Sequence, residues 1–162
     1  MKLLPPAEIK DSLAKLQEDH DDMMKVGFLI MSFQETNAHT AIVTAIQRSL
    51  RRNGLLALRA DKKQYNDNLV ANIKTYMWGC GFGIAVFERI KPKGLNPNVS
   101  FEVGYMLALQ KPVYLLKDKT LRALPTDLVG KLYHDFDAQH PGITIRQELE
   151  VWLRDKKLIP PT

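Results

Sequence analysis

The sequence predicts a three-layer α/β sandwich of about five parallel strands, preceded by one extra helix. Short, uninterrupted apolar runs recur along the chain, as at Lys25 to Met31, Ile84 to Phe87 and Pro112 to Leu116. Runs of this kind are strands buried on both faces, which is the mark of a parallel sheet covered by helices. Between them lie longer stretches in which apolar residues return every three or four positions, the period of a helix with one buried face. With 162 residues, 45% of them hydrophobic and 25% charged, the chain has the composition of one globular domain with a substantial core.

Pro5 and Pro6 precede Ile9, Leu13 and Leu16, a helical stripe that ends in the acidic His20-Asp21-Asp22; residues 1–24 are therefore read as an N-terminal helical extension and 25–162 as the main domain. Lys25 to Met31 forms the first strand and leaves the sheet through Ser32, Gln34, Glu35 and Asn37. Ile42, Ala45, Ile46 and Leu50 make the buried stripe of a helix whose other face carries Gln47, Arg48, Arg51 and Arg52, and Gly54 falls where a C-cap belongs. Leu55 to Arg59 is the second strand. A helix over Tyr65 to Trp78 leads through Gly79, Gly81 and Gly83 into the third strand, which ends at Glu88. A loop with Pro92, Gly94 and Pro97 follows, then a helix over Val99 to Leu109, a fourth strand over Pro112 to Leu116, and a polar loop from Lys117. Leu132 to Phe136 is a weaker fifth strand, and Ile145, Leu149, Trp152 and Leu153 mark a closing helix. The alternation suits a flavodoxin-like strand order.

Composition excludes several function classes. One cysteine, Cys80, rules out a disulfide framework and, with no His or base nearby in sequence, reads as a small buried hydrophobe. His20, His39, His134 and His140 show no metal-ligand spacing, so no metal is expected. The Gly79 to Gly83 cluster precedes a strand, whereas a dinucleotide fingerprint follows one, so it reads as a helix-to-strand turn. No apolar run is long enough to span a membrane and the first residues lack a secretory signal, which leads to the expectation of a cytoplasmic protein. The net charge of +5 is uneven: residues 1–24 hold six acids and three bases, while Arg48, Arg51, Arg52, Arg59, Lys62 and Lys63 face only Asp61 between positions 48 and 63. That basic run is either a solvated helix face or an attractor of phosphates or nucleic acid.

In such a sheet, ligands bind beyond the carboxyl ends of the strands near the switch in strand order. The residues there are Met31, Ser32 and Phe33, then Arg59 and Asp61, then Glu88, the Asn96 to Tyr105 segment, and Lys117 with Asp118. Asn96 can cap a helix with Pro97 at its first position. Asn98, Glu102 and Tyr105 then share a helix face among Val99, Phe101, Val103, Met106, Leu107 and Leu109. Glu102 is poor company for those residues. A buried carboxylate is kept either for an ion pair, here with Arg59 or Lys111, or for ligand binding or catalysis.

The segment Asn96 to Leu109 (NPNVSFEVGYMLAL) with Lys111-Pro112-Val113 resembles the corresponding part of bacterial TIR-like and nucleoside 2-deoxyribosyltransferase-like proteins. Further matches are Gly27 to Phe33 (GFLIMSF), Arg59-Ala60-Asp61, the helix with Asn72-Ile73, and the Leu124-Pro125-Thr126-Asp127-Leu128 turn, so the resemblance covers residues 25–137. It implies a TIR-like nucleotide-binding domain in which Glu102 is the catalytic residue, acting on the anomeric carbon of a nucleoside ribose. It also implies an N-glycosidase of NAD or a related nucleotide, with a nucleoside 2-deoxyribosyltransferase and a non-catalytic nucleotide-sensing module as alternatives. Two departures stand out: Glu88 takes the place of an aspartate common in relatives, and the first 24 residues have no counterpart.

A carboxylate below the anomeric carbon stabilises the positive charge that develops as the bond breaks. Nicotinamide departs neutral from NAD, whereas an ordinary base needs an acid; Asp61, Glu88 and Asp118 could supply one, but none has a sequence context that marks it as protonated, so NAD suits the residues in hand. Ser32 and the amides of Met31 to Phe33 can hold phosphate, and Arg59 either pairs with pyrophosphate or neutralises Glu102 or Asp61. Phe33 either stacks on a base or closes the core edge, and Tyr105 either packs or meets the ribose. The resemblance further implies a part in prokaryotic defence and self-association of the chain. The nucleotide is expected as substrate, with no cofactor, no membrane partner, and nucleic acid only through Arg48, Arg51 and Arg52.

Overall fold

The computed structural model describes residues 3–90, 96–124 and 132–161. Its elements run α1 (Lys10–Glu18), β1 (Val26–Ile30), α2 (Asn37–Arg52), β2 (Leu56–Leu58), α3 (Leu69–Gly79), β3 (Phe82–Phe87), α4 (Pro97–Ala108), β4 (Val113–Asp118), β5 (His134–Phe136) and α5 (Pro141–Asp155). The five strands form one sheet in the order β2-β1-β3-β4-β5, with every neighbouring pair parallel. This is the flavodoxin-like three-layer arrangement that the apolar runs predict. All five residues of β1 and all six of β3 are buried, because helices cover both faces.

One core lies under α1, α3 and α4, where Leu16, Phe28, Ile30, Tyr76, Phe87, Val99 and Val103 meet. The other lies under α2 and α5, around Leu29, Ile42, Ile46, Ile84, Leu116, Leu149 and Leu153. The N-terminal helix is packed into the first core and not appended to it: Ile9 and Leu16 are fully buried, and Ser12 Oγ lies 2.7 Å from Thr75 Oγ1 of α3. Among the described residues no helix is long and apolar enough to cross a membrane.

Local chemistry explains the boundaries. Residues expected to open a helix at Tyr65 instead form a turn around Asn72, whose Oδ1 accepts from the amides of Tyr65 (2.8 Å) and Asn66 (3.3 Å) while its Nδ2 donates to Ala60 O. α3 then begins after Asn68, which caps the amide of Ala71. Lys117 and Asp118, expected in a loop, are the end of β4. Lys117 tolerates burial because Nζ pairs with Asp135 (2.7 Å) and donates to Leu121 O (2.7 Å). The fifth strand starts at His134, leaving Leu132 92% exposed. The glycine cluster serves close packing: a Cβ on Gly81 would sit 2.7 Å from the Met24 Cα, and the Gly81 amide donates to both Met23 O and Val26 O. Pro92, Gly94 and the turn from Pro125 to Leu128 lie outside the described residues.

Lys111 is occupied at the amino end of the sheet. Its Nζ donates to Met77 O (2.9 Å), Cys80 O (2.6 Å) and Trp78 O, closing the C-terminus of α3. Lys111→Met leaves these carbonyls without their donor, and urea denaturation should show a loss of about 2 kcal/mol.

Candidate active site

The switch in strand order falls between β1 and β3, since the chain passes from β1 outward to β2 and then returns to β3 on the other side. The segment after β1 and the N-terminus of α4 both meet this crevice. Ser32, Glu88, Asn96 and Val99, with Val86 and Phe87, enclose a void of only about 10 Å³, so the side chains meet closely there. Asn96 Oδ1 accepts from the Asn98 amide at 3.0 Å and starts α4 at the crevice. Met31 is buried beneath, Phe33 is 41% exposed at the rim, and Asn98 is exposed on the first turn of α4.

Glu102 lies one helical turn further along α4 from Val99, on the same buried face as Val103 and Met106, and is 6% exposed. Neither partner considered from the sequence reaches it. Arg59 is held by Asp61 through two parallel hydrogen bonds, Nε to Oδ1 at 2.9 Å and Nη2 to Oδ2 at 2.7 Å, and Lys111 serves α3. Among the described residues no side chain pairs with Glu102, so the ion pair with Arg59 or Lys111 is excluded. Burial alone pushes its carboxyl up to about 7. Glu102 is not among the residues that enclose the small void, but it lies on the helix that starts there, and a buried carboxyl near its ionisation point is suited to meeting a positive charge that only a reacting substrate supplies.

Glu88 has a partner that the sequence did not suggest. His39, on the first turn of α2 and fully buried, places Nε2 2.8 Å from Glu88 Oε1 and Nδ1 2.6 Å from Thr36 Oγ1, while Glu88 Oε2 accepts from the Ile90 amide at 2.6 Å. Both ring nitrogens of His39 are therefore hydrogen-bonded, one to Thr36 and one to Glu88. With an acceptor bond on each oxygen, Glu88 is arranged as an anchor that ties α2 to the end of β3 across the Ser32 loop. His39→Ala removes the partner of a buried carboxylate, and chemical denaturation should show a loss of about 2–3 kcal/mol, with faster amide exchange after Ser32. The 49-residue separation hid this pair.

The remaining candidates are dispersed. Arg59 lines a cavity of about 730 Å³ along the β2 edge, together with Asp19, Thr40, Lys63 and Tyr65, while Asp61 holds its guanidinium from outside that lining. This cavity is far larger than the void at the β1–β3 crevice, yet neither Glu102 nor Ser32 lines it, and chemistry, not volume, decides in favour of the crevice. Tyr105 lies near the other end of α4, where its hydroxyl accepts from Trp78 Nε1 at 3.1 Å; it packs against α3, away from the crevice. Cys80 is fully buried with its thiol pushed up to about 12, as expected of a hydrophobe and not of a nucleophile. Among the described residues no group of three or more His, Cys, Asp or Glu side chains is placed to hold a metal ion.

No family model matches the sequence, and no curated protein is similar to it by the same measure. Solved structures do match. The CMP N-glycosidase of Clostridium botulinum superposes with a TM-score of 0.57 at 15% identity, over 79% of this chain and 99% of that one. The 2-deoxyribosyltransferase of Bacillus psychrosaccharolyticus superposes with a TM-score of 0.52 at 14% identity, over 72% of this chain and 90% of that one. Identities this low speak to architecture alone, and the architecture is the flavodoxin-like fold of nucleoside deoxyribosyltransferases.

Proposed function

We propose that this protein cleaves the N-glycosidic bond of a nucleotide, with Glu102 below the anomeric carbon as nucleophile or charge stabiliser. The observation that carries the reading is the buried Glu102 carboxyl, without a side-chain partner among the described residues, on α4, the helix whose N-terminus meets the switch point of the sheet. A ribosyl centre losing its base becomes cationic, and in a water-poor site that cation and a carboxylate attract far more strongly than in water. In this reading Ser32 and the amides after β1 hold a 5′-phosphate that anchors the sugar.

The likeness to a CMP N-glycosidase supports a nucleoside monophosphate as substrate. NAD is the second reading, favoured because Glu88 already accepts at both oxygens, Asp61 is engaged by Arg59, and Asp118 accepts from the Thr120 amide and hydroxyl, which leaves none of the three as a ready acid for a neutral base. Nicotinamide needs none. A defence role through NAD depletion, and self-association of the chain, belong to that second reading. Incubation with CMP, other nucleoside monophosphates, deoxynucleosides and NAD, followed by chromatography of released base, tests the proposal. Release from none of them overturns it. Exchange with added acceptor base would assign a transferase in place of a hydrolase.

A further inference from the structure

The fold divides the basic run seen in the sequence. Arg59, Lys62 and Lys63 lie beside acids: Arg59 on Asp61, Lys62 near Glu35 and Asp61, and Lys63 on Asp19. Arg48 and Arg52 go elsewhere, to the exposed seam where α2 packs against α5, and among the described residues no carboxylate pairs with either. A cavity of about 430 Å³ runs along that seam, lined by Thr44, Arg48, Ser49 and Arg52 from α2 and by Gly142 and Arg146 from α5. Arg146 is held only loosely, its Nε 3.5 Å from a Glu150 carboxylate that also lies 4.0 Å from Arg154.

Two further features lie along the same seam. Ser49 is 1% exposed and its hydroxyl has no hydrogen-bond partner, although a helical serine ordinarily returns its proton to a carbonyl of the preceding turn. The N-terminus of the 15-residue α5 is also unanswered. His140 makes no side-chain cap, the first turn holds no acid, and the position of Gly142 is open to the seam. The His140 ring points to Asp137, whose carboxylate is taken by Lys119 at 2.7 Å and by the Gln139 amide at 2.9 Å. Three guanidinium groups, an unused buried hydroxyl and a free helix N-terminus form a donor set that matches a phosphate group and little else.

We propose that the α2–α5 seam binds the phosphate or diphosphate group of a small molecule. This site uses the face of the sheet opposite α4, because α2 and α5 cover one core and α4 the other. It is therefore separate from Glu102 and stands whether or not Glu102 is catalytic. The cavity runs along α2 as far as Ala41, two residues from His39, whose ring bonds Glu88 at the crevice, and this gives it a route to influence that crevice.

Calorimetric titration of the whole chain with pyrophosphate and with inorganic phosphate at low salt tests the site. One-to-one binding of pyrophosphate is expected, tighter than that of phosphate. The double variant Arg48→Gln/Arg52→Gln should weaken it by roughly 10–100-fold, since each lost charge-assisted bond is worth up to about tenfold. Arg51→Gln makes the same charge change on the same helix without lining the seam and should alter affinity by less than about twofold. Ser49→Ala should weaken binding several-fold while the unliganded protein melts no lower. All of these positions except Ser49 are exposed, so the arginine variants keep their fold, which melting without ligand verifies. The site is overturned by failure of both anions to bind, by equal losses in Arg51→Gln and the double variant, or by unchanged affinity in Ser49→Ala. Duplex DNA binding with a steep salt dependence and equal loss at all three arginines would replace it with a nucleic-acid face.

Discussion

Replacing Glu102 by Gln should lower glycosidic turnover by roughly 10²–10³-fold and leave nucleotide affinity within about threefold. Gln keeps the volume and hydrogen-bonding reach of the side chain but cannot carry the negative charge that a cationic sugar requires, so the loss falls on the transition state and spares the bound substrate. A covalent role for Glu102 would enlarge it further. The pH profile adds a second, independent reading. Because the free carboxyl ionises near 7 and only the ionised form can attack or stabilise, kcat/KM should rise as pH increases through about 7 and then level. An acid role for the protonated carboxyl would give the opposite slope. Steady-state kinetics on both proteins over the range around neutrality decides this; cleavage by Glu102→Gln at the parental rate removes Glu102 from the mechanism.

What the sequence revealed, and what it concealed, follows from the range of each interaction. The strands and helices were legible because burial writes itself locally, as in the continuous apolar β3 and the every-fourth-residue stripe of α2. Glu102 was legible for the same reason, as a carboxylate placed in an otherwise apolar helix face. Whether it had a partner was not, since Arg59 and Lys111 are each claimed by groups that only the fold brings near. His39 and Glu88 met the same obstacle: neither has a local sign of pairing, and 49 residues separate them. The basic run looked like one patch because it is contiguous in sequence, yet a turn of chain after α2 sends its halves to different sides of the β2 edge. Asn72 shows the reverse error, where helical periodicity from Tyr65 was overruled by one side chain that satisfies a turn.

The charge that equips Glu102 for catalysis should cost the free protein stability, and the cost should depend on pH with a defined sign. In the unfolded chain its carboxyl ionises near 4.5, and in the folded protein near 7. Below pH 4.5 both forms hold the proton and no penalty exists. Between 4.5 and 7 the unfolded chain has released its proton while the folded protein has not, so stability falls as pH rises; above 7 both are ionised and the penalty is complete. Its full size is about 3 kcal/mol, little screened because the residue is 6% exposed. Glu102→Gln is free of it. Urea denaturation of the two proteins should therefore give similar stabilities at pH 4.5 and a Gln variant more stable by about 2–3 kcal/mol at pH 8. All other titrating groups, including Asp137 and Lys111, are common to both proteins and cancel in the difference. A difference that stays flat across this range would mean that Glu102 is solvated as an ordinary surface acid, and a Gln variant less stable at pH 8 would mean that a cation has found it after all. The expected slope identifies a carboxylate whose unfavourable burial persists for the substrate that relieves it.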